Sequence, residues 1–309
     1  MARIKHPYGM PMDQSCTLGV DGGGTRCRVR LRDAAGRLLG EAEGGLANVY
    51  QDFEGALRSI VETARAACAA ARLGEEATRE CRAGLGLAGV TDSARADAVA
   101  RAGLPFAAVT VDNDAVIACL GAHAAGDGGI VISGTGSAGL ALVGGRRHAI
   151  GGWGFALGDD GSGAMIGRAG LRRAILAHDG LAAPTPLTDA LLAAFPGVPA
   201  MVDWARSALS RDYGRFAPQV FEAARAGDPH GRAILVEAAL ALGAMVENLV
   251  AAGAPRVALV GSVARALASD LPDTARRHLA EPLADPLDGA ILLAGGRVEG
   301  LALRGGAPA

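Results

Sequence analysis

The sequence predicts a mixed α/β protein in which one structural unit occurs twice. Each copy consists of a strand, a glycine turn, a second strand, a tight turn, a third strand and a helix. The first copy starts at 16–20 and continues into the turn 21–25, and the second starts at 129–133 and continues into the turn 133–137. Short strands and helices then alternate, which is typical of a parallel or mixed sheet with helices on its faces.

The individual segments of the first copy have clear local signals. Residues 27–32 alternate between apolar and basic side chains, as a strand with one solvated face does, and a third strand follows near 38–42. Apolar residues recur at helical spacing from Phe53 to Cys68. Strands are predicted at 83–87 and 108–112, and a helix begins at Asp114.

The second copy continues with a hairpin across Gly144 and Gly145 and a helix from about 163 to 176. The clearest helix of the chain begins at Asp228 and Pro229, because aspartate is a good N-cap and proline is favoured at the first helical position. A strand is predicted at 256–260 and a last helix near 288–297.

We place the domain boundary near 118–128. The sequence thus predicts an N-terminal lobe at 1–118 and a C-terminal lobe with a helical insertion at 119–297. The extreme C-terminus, about 298–309, is expected to pack back on the first lobe.

Composition excludes several classes of function. Of 309 residues, 50% are hydrophobic and 20% are charged, and the net charge is -2, so neither a basic nucleic-acid surface nor a disordered charged tail is expected. Glycine supplies 46 residues, about twice the usual share. Lys5 is the only lysine, which excludes a Walker A loop or a pyridoxal Schiff base built on an internal lysine.

Cysteine usage favours a reduced, cytoplasmic protein. The five cysteines form no C-x-x-C pair, and the histidines have no metal-ligand spacing. We expect no secretory leader, because the first residues have no apolar core, and no membrane span, because Glu237, Glu247 and Asn248 interrupt the most apolar helix. No membrane or nucleic-acid partner is expected.

The two glycine turns favour phosphate binding. Glycines let backbone N–H groups approach a phosphate closely, and a Thr or Ser hydroxyl adds a donor. The turns read D-G-G-G-T at 21–25 and S-G-T-G-S at 133–137. The run Gly134–Gly139 also matches G-x-G-x-x-G, but a strand follows it where a dinucleotide-binding fold needs a helix. One turn alone would be a hairpin turn; two matching turns favour a phosphate site.

Three motifs resemble the N-acetylglucosamine and glucosamine kinase group of the actin/hexokinase/Hsp70 ATPase superfamily. They are G-V-D-G-G-G-T at 19–25, I-S-G-T-G-S at 132–137 and G-G-W-G-F-x-L-G-D-D-G-S at 151–162. The resemblance covers nearly the whole chain, although the family often has Asp-Glu where this chain has Asp159-Asp160. It implies a two-lobed ribonuclease H-like (actin-like ATPase) fold with duplicated βββαβαβα-type domains and an interlobe cleft.

The resemblance also implies the site residues. Asp114 would be the catalytic base and would contact the sugar, and Asp21 would face Mg²⁺ through water. The residues implied to bind ATP are Gly22, Gly23, Gly24, Thr25, Gly134, Thr135, Gly136, Ser137, Gly261 and Ser262. The other residues implied to bind the sugar are Asn48, Gly152, Trp153, Gly154 and Asp159.

Single-residue alternatives remain open from the sequence alone. Asp114 competes with Asp112 for the role of base, and it could instead cap the helix that it starts. Asn48 could be a turn or cap residue, and Trp153 could belong to the core. One of Asp159 and Asp160 is expected to face the sugar.

The implied reaction is transfer of phosphate from ATP to the 6-hydroxyl of N-acetylglucosamine, giving ADP and the 6-phosphate, with glucosamine as the alternative acceptor. A related branch of the superfamily activates acyl-CoA reductases or dehydratases, but that work needs an iron–sulfur cluster for which these cysteines show no pattern. Repressor relatives need a DNA-binding unit, for which we see no room before the first strand. A homodimer is compatible with the sequence.

Overall fold

The computed structural model describes residues 16–304, which form two units, each with its own sheet and core. Within the described residues, the first unit runs to Asp127 and resumes at Pro282, and the second unit runs from Gly128 to Glu281. The expectation of no secretory leader concerns the first residues of the chain, which lie outside the described residues.

The first unit is a five-stranded sheet with helices on its faces. The strand order is β3-β2-β1-β4-β5, in which β1 pairs antiparallel with β2 and parallel with β4. A 3₁₀ helix at Glu75–Glu80 precedes β4. The elements are β1 Thr17–Gly22, β2 Cys27–Arg32, β3 Leu38–Gly44, α1 Phe53–Ala70, β4 Arg82–Leu87, α2 Ser93–Ala100, β5 Ala108–Asp112 and α3 Asp114–His123.

The second unit repeats this plan with four strands. Its order is β8-β7-β6-β9, with β6 antiparallel to β7 and parallel to β9. Four short helices separate α4 from the long helix α9. The elements are β6 Gly128–Ser133, β7 Ser137–Val143, β8 Arg146–Gly151, α4 Gly163–His178, α5 Pro186–Ala193, α6 Val198–Ala205, α7 Ser210–Gly214, α8 Ala217–Arg225, α9 Pro229–Ala251, β9 Val257–Val260, α10 Ser262–Ala266 and α11 Asp273–Arg276.

The last helix belongs to the first unit, which corrects the expected domain limits. Helix α12, Pro286–Leu293, packs on β1, on β4 and on α3. The approach is so close that a Cβ on Gly289 would lie 1.8 Å from the Ile117 carbonyl oxygen, and one on Gly84 would lie 2.0 Å from that of Ala290. The chain therefore returns to the first unit at Pro282 rather than near residue 298, whereas the first crossing follows Asp127, inside the predicted boundary region of 118–128.

Helix α9 is the central core helix of the second unit. Asp228 caps it by accepting hydrogen bonds from the backbone N–H groups of His230 and Gly231, and Pro229 is its first residue, as predicted. Helix α9 is long and apolar enough to cross a membrane by length and composition alone. However, Leu242, Val246 and Leu249 are fully buried in the core of the second unit, as is usual for the central helix of a globular α/β unit.

Candidate active site

The first phosphate turn, 21–25, connects β1 to β2 in the first unit. The N–H of Gly23 donates to the Arg26 carbonyl at 2.9 Å. This hydrogen bond closes the turn, so the Gly23 N–H is already used within the protein. Gly22 is buried, and a Cβ at this position would lie 2.6 Å from Leu87 Cδ2. Its role is therefore to let the backbone pack closely against Leu87. Gly24 and Thr25 are exposed. These two residues are therefore the part of the turn that can offer N–H and hydroxyl donors to a phosphate.

Asn48 lies beside this turn. Its Oδ1 accepts hydrogen bonds from the backbone N–H groups of Tyr50 at 3.0 Å and Gln51 at 3.2 Å, so it is the local turn residue that the sequence allowed. Its amide Nδ2 faces Gly24, at 3.8 Å from the position that a Cβ would take there. The turn fixes the side chain, and the Nδ2 donor is oriented toward the phosphate turn.

Asp114 is the first residue of α3, but it is not the cap of that helix. The cap is Asn113, whose Oδ1 accepts from the N–H of Val116 at 2.8 Å. Asp114 is exposed, and its Oδ1 accepts from the adjacent Ala115 N–H at 2.9 Å. Asp112, by contrast, is buried, and its Oδ1 accepts from the N–H of Asn113 at 2.8 Å. Of the two aspartates, the structure leaves Asp114 accessible to a substrate hydroxyl.

The electrostatic environment raises the pKa of Asp114. Partial removal of water by the surrounding protein is the largest cause, and the negative charge of Asp21 adds to it. The ordinary pKa of an aspartate is about 3.9, so a raised pKa makes this carboxylate a better proton acceptor than a free one.

Asp21 is the residue expected to face Mg²⁺. It is paired with Arg28, its partner across β1 and β2, and the guanidinium contacts Oδ2 of the carboxylate. Within residues 16–304 no group of three or more His, Cys, Asp or Glu side chains is arranged to hold a metal ion directly. The residues fit a cation held through water, because Mg²⁺ usually keeps several waters and takes only one or two carboxylates.

The second phosphate turn, 133–137, is hydrogen-bonded to the sugar-motif loop, which we define as residues 151–162. The N–H of Ser137 donates to Asp159 Oδ1 at 3.2 Å, and its hydroxyl donates to the Asp160 carbonyl at 2.8 Å. The Ser133 hydroxyl donates to the Gly161 carbonyl at 2.9 Å. Ser137 is buried and both of its donors are engaged, so it positions the loop, whereas Thr135 is exposed.

The sugar-motif loop exposes its aromatic residue. Trp153 is 74% exposed, so it is not a core residue. Gly152 and Gly154 are exposed and both have positive φ, at 73° and 82°. Asp159 is buried and has a φ of 63°, which is strained for a residue other than glycine. Strain of this kind concentrates at functional sites.

A groove of about 660 Å³ in the second unit lies at Gly261 and Ser262, two residues that the resemblance implies for ATP binding. Gly261 has a φ of 98°, and a Cβ there would lie 2.2 Å from the Ser133 carbonyl oxygen, so only glycine fits between β9 and β6. The groove is lined by Pro218, Phe221, Arg225, Leu235, Ser262, Val263, Ala266, Ser269 and Asp270. It combines apolar walls with a few polar groups, as nucleoside sites do.

Of the residues that line this groove, the sequence analysis named Ser262 but not those on the opposite side of the groove. Pro218, Phe221 and Arg225 lie on α8, which is more than thirty residues before Gly261 in the chain. Only the packing of α8 against α4 and α9 brings them there. No local signal in the sequence marks these residues.

The two units share the order of four strands and have a glycine turn each, and an accessible carboxylate lies beside the first turn; these features fit an ATP-dependent phosphotransferase of the actin-like class. A family model agrees with this class and matches residues 18–294. The chain belongs to the BadF/BadG/BcrA/BcrD ATPase family.

Individual relatives are amino-sugar and sugar kinases. The chain is 38% identical to "Glucosamine kinase GspK" of Vibrio cholerae over 279 residues, which is 90% of this chain and 95% of the relative. A solved structure from Chromobacterium violaceum, provisionally named an N-acetylglucosamine kinase, has a TM-score of 0.83 at 35% identity and covers 91% of this chain and 99% of its own.

A more distant structure supports the fold alone. A ROK family glucokinase from Streptomyces griseus, solved with glucose and AMPPNP, has a TM-score of 0.54 at 23% identity and covers 89% of this chain and 98% of its own.

Proposed function

We propose that this chain transfers the γ-phosphoryl group of ATP to the 6-hydroxyl of a 2-amino sugar, and that free glucosamine is the preferred acceptor. The main support for this reaction is the position of Asp114. It is an exposed aspartate at the start of α3, and its pKa is raised, in part by the negative charge of Asp21. The acceptor hydroxyl must lose a proton as the phosphoryl group arrives, and a carboxylate poised in this way accepts it.

The remaining residues position the two substrates and neutralise the charge of the phosphates. Within the first unit, Gly24 and Thr25 offer donors to a phosphate. Within the second unit, Thr135 offers a hydroxyl donor and the groove around Ser262 is suited to a nucleoside. Mg²⁺, when bound, supplies positive charge against the phosphates, and Asp21 would hold it through water. Trp153 offers an exposed aromatic face to the sugar, and Asn48 offers an amide donor.

The identity of the acceptor rests on the relatives. The chain resembles a curated glucosamine kinase at 38% identity over nearly its full length, which favours the free amino sugar. N-acetylglucosamine, the acceptor expected from the motifs, remains the second candidate, because the structure from Chromobacterium violaceum carries that name at 35% identity. The proposed compartment is the cytoplasm.

Kinetics with a panel of sugars tests the proposal. Purified protein with Mg-ATP is assayed for ADP release with glucosamine, N-acetylglucosamine, glucose and no sugar, and the product is identified by mass and NMR. We expect kcat/KM to be highest for glucosamine and the phosphate to be on O6. Turnover that is equal with and without sugar would contradict a sugar kinase, and a higher kcat/KM for N-acetylglucosamine would contradict the acceptor.

A matched pair of aspartate variants tests the base. Asp114→Asn keeps the shape of the side chain but cannot accept a proton, so kcat should fall by about 10²–10⁴-fold while sugar binding persists. Asp112→Asn changes the buried neighbour and should retain most of the kcat of the wild type. A larger loss of kcat in a folded Asp112→Asn protein than in Asp114→Asn would reverse the assignment.

A further inference from the structure

Three of the five cysteines form one cluster in the first unit, far along β1 from the phosphate turn. The thiol cluster comprises Cys16, Cys68 and Cys81. Cys81 and Cys68 are fully buried, whereas Cys16 is partly exposed. The Cys81 thiol is in hydrogen-bonding contact with both other thiols and also donates to the Ala77 carbonyl at 3.1 Å.

The sheet register places Cys16 directly beside Cys81. Thr17 pairs with Arg82 where β1 and β4 run parallel, and the Arg82 N–H donates to the Cys16 carbonyl at 3.0 Å. The two cysteines immediately precede this pair, one on each strand. Neighbouring strands lie about 4.8 Å apart, and disulfides form at Cα separations of about 4.4–6.8 Å. A bond between these two sulfurs therefore needs little backbone movement.

The thiols differ in reactivity. Contact with the Cys81 thiol lowers the pKa of Cys16 and outweighs the desolvation that acts in the opposite direction. The contacts with Cys16 and Cys68 raise the pKa of Cys81, and its single proton is donated to the Ala77 carbonyl. Cys16 thus combines thiolate character with exposure, the two properties that make a cysteine sensitive to oxidation. Cys27, which lies apart from this cluster, has a pKa raised to about 12, mainly by burial.

We propose that Cys16 and Cys81 form an oxidation site in which hydrogen peroxide converts the two thiols into a disulfide. The Cys16 thiolate attacks one peroxide oxygen, the O–O bond breaks, and the released hydroxide takes up the proton that Cys16 had lost, so a sulfenic acid and water result. Cys16 is then no longer a thiolate, and the Cys81 thiol gives up its proton as its sulfur attacks the Cys16 sulfur; the S–O bond breaks, and the hydroxyl group leaves with that proton as a second water. Two thiols and one peroxide give one disulfide and two waters, and the two electrons pass from sulfur to oxygen.

The site is separate from the proposed kinase chemistry. Cys16 precedes the first residue of β1, whereas the phosphate turn follows its last residue, so the full length of a six-residue strand separates them. At about 3.3 Å per residue this is roughly 20 Å. The disulfide should therefore leave kcat unchanged within about twofold, and it joins two strands that are already paired.

Peptide mapping tests the proposal. The reduced full-length protein is treated with a small excess of hydrogen peroxide, remaining thiols are alkylated, and the digest is analysed by mass spectrometry with and without dithiothreitol. We expect two fewer alkylated cysteines than in the reduced protein, which has five, and a peptide pair joined through Cys16 and Cys81 that dithiothreitol separates.

Two variants sharpen this test. Cys16→Ser should abolish the joined peptide, and Cys119→Ala, which removes a buried cysteine on α3, should retain it. Recovery of all five alkylated thiols after peroxide, or of Cys16 only as sulfinic acid, would overturn the proposal. The peptide map of the peroxide-treated wild-type protein shows whether the disulfide between Cys16 and Cys81 forms, even if a variant folds poorly.

Discussion

Replacement of Asp288 by asparagine tests what holds the last helix on the first unit. One carboxylate oxygen of Asp288 lies 2.8 Å from Arg30 and 2.8 Å from Arg32, both on β2. These side chains are only 10–13% exposed. Asparagine keeps the volume of the side chain and one acceptor oxygen, so the variant removes the charge and leaves the packing intact.

The expected loss of stability follows from these contacts. Removing one partner of a buried ion pair costs about 3–5 kcal/mol because a buried charge is left unpaired. Here Arg30 keeps Asp285, at 2.7 Å, and Arg32 keeps the Gly36 carbonyl, at 2.8 Å. We therefore expect a loss of about 2–3 kcal/mol, which corresponds to a decrease in Tm of roughly 3–5 °C for a chain of 309 residues.

Thermal and urea unfolding at pH 7 measure this loss, and Asp203→Asn is the matched control. Asp203 pairs with Arg206 at 3.8 Å, and both side chains are more than 70% exposed, so its replacement should change stability by less than about 0.5 kcal/mol. If Asp288→Asn lowered the urea midpoint no more than Asp203→Asn, at an unchanged m-value, the network would not stabilise the docking of α12.

Three further substitutions test the site by independent measurements. Folding raises the pKa of Asp114, so the charge of its carboxylate destabilises the folded state at neutral pH. Asp114→Asn should therefore have a higher Tm than the wild type at pH 7. This difference in Tm should vanish as the pH falls below about 3.9, because Asp114 is then protonated in both the folded and the unfolded state. Gly261→Ala should lower the Tm by several degrees, because the methyl group would meet the Ser133 carbonyl oxygen; an unchanged Tm would contradict the tight fit between β9 and β6. Phe221→Ala should raise the KM for ATP up to about tenfold, with the KM for the sugar unchanged, whereas equal changes in both would argue against a nucleoside groove.

Local signals in the sequence predicted the elements that depend on neighbouring residues. The start of α9 at Asp228 and Pro229 and the turn before β2 are set by capping and by turn chemistry within a few residues. The end of α1 is different, because Gly74, the first glycine after the helix, is not in the left-handed conformation and has an ordinary φ of -68°. Arg72 takes the left-handed conformation instead, with a φ of 60°.

Contacts between distant residues could not be predicted in the same way. Helix α12 was assigned to the wrong lobe because its partners on β2 and α3 are more than 150 residues earlier in the chain. The close approach depends on Gly84 and Gly289, which carry no local turn signal. Part of the glycine excess therefore allows backbone-to-backbone packing, whereas the sequence analysis assigned roles only to glycines of the predicted ligand-binding motifs.

The second phosphate turn and the sugar-motif loop form one hydrogen-bonded substructure. Ser137 donates to both Asp159 and Asp160, and a Cβ on Gly136 would lie 3.0 Å from the Asp159 carboxylate. The strained backbone of Asp159 persists because these contacts hold its carboxylate in place. A sugar that moved this loop would therefore also shift the donors of the turn. Under the proposed function, sugar recognition and phosphate binding in the second unit would share the same few hydrogen bonds, which would couple acceptor binding to the position of the phosphate donors.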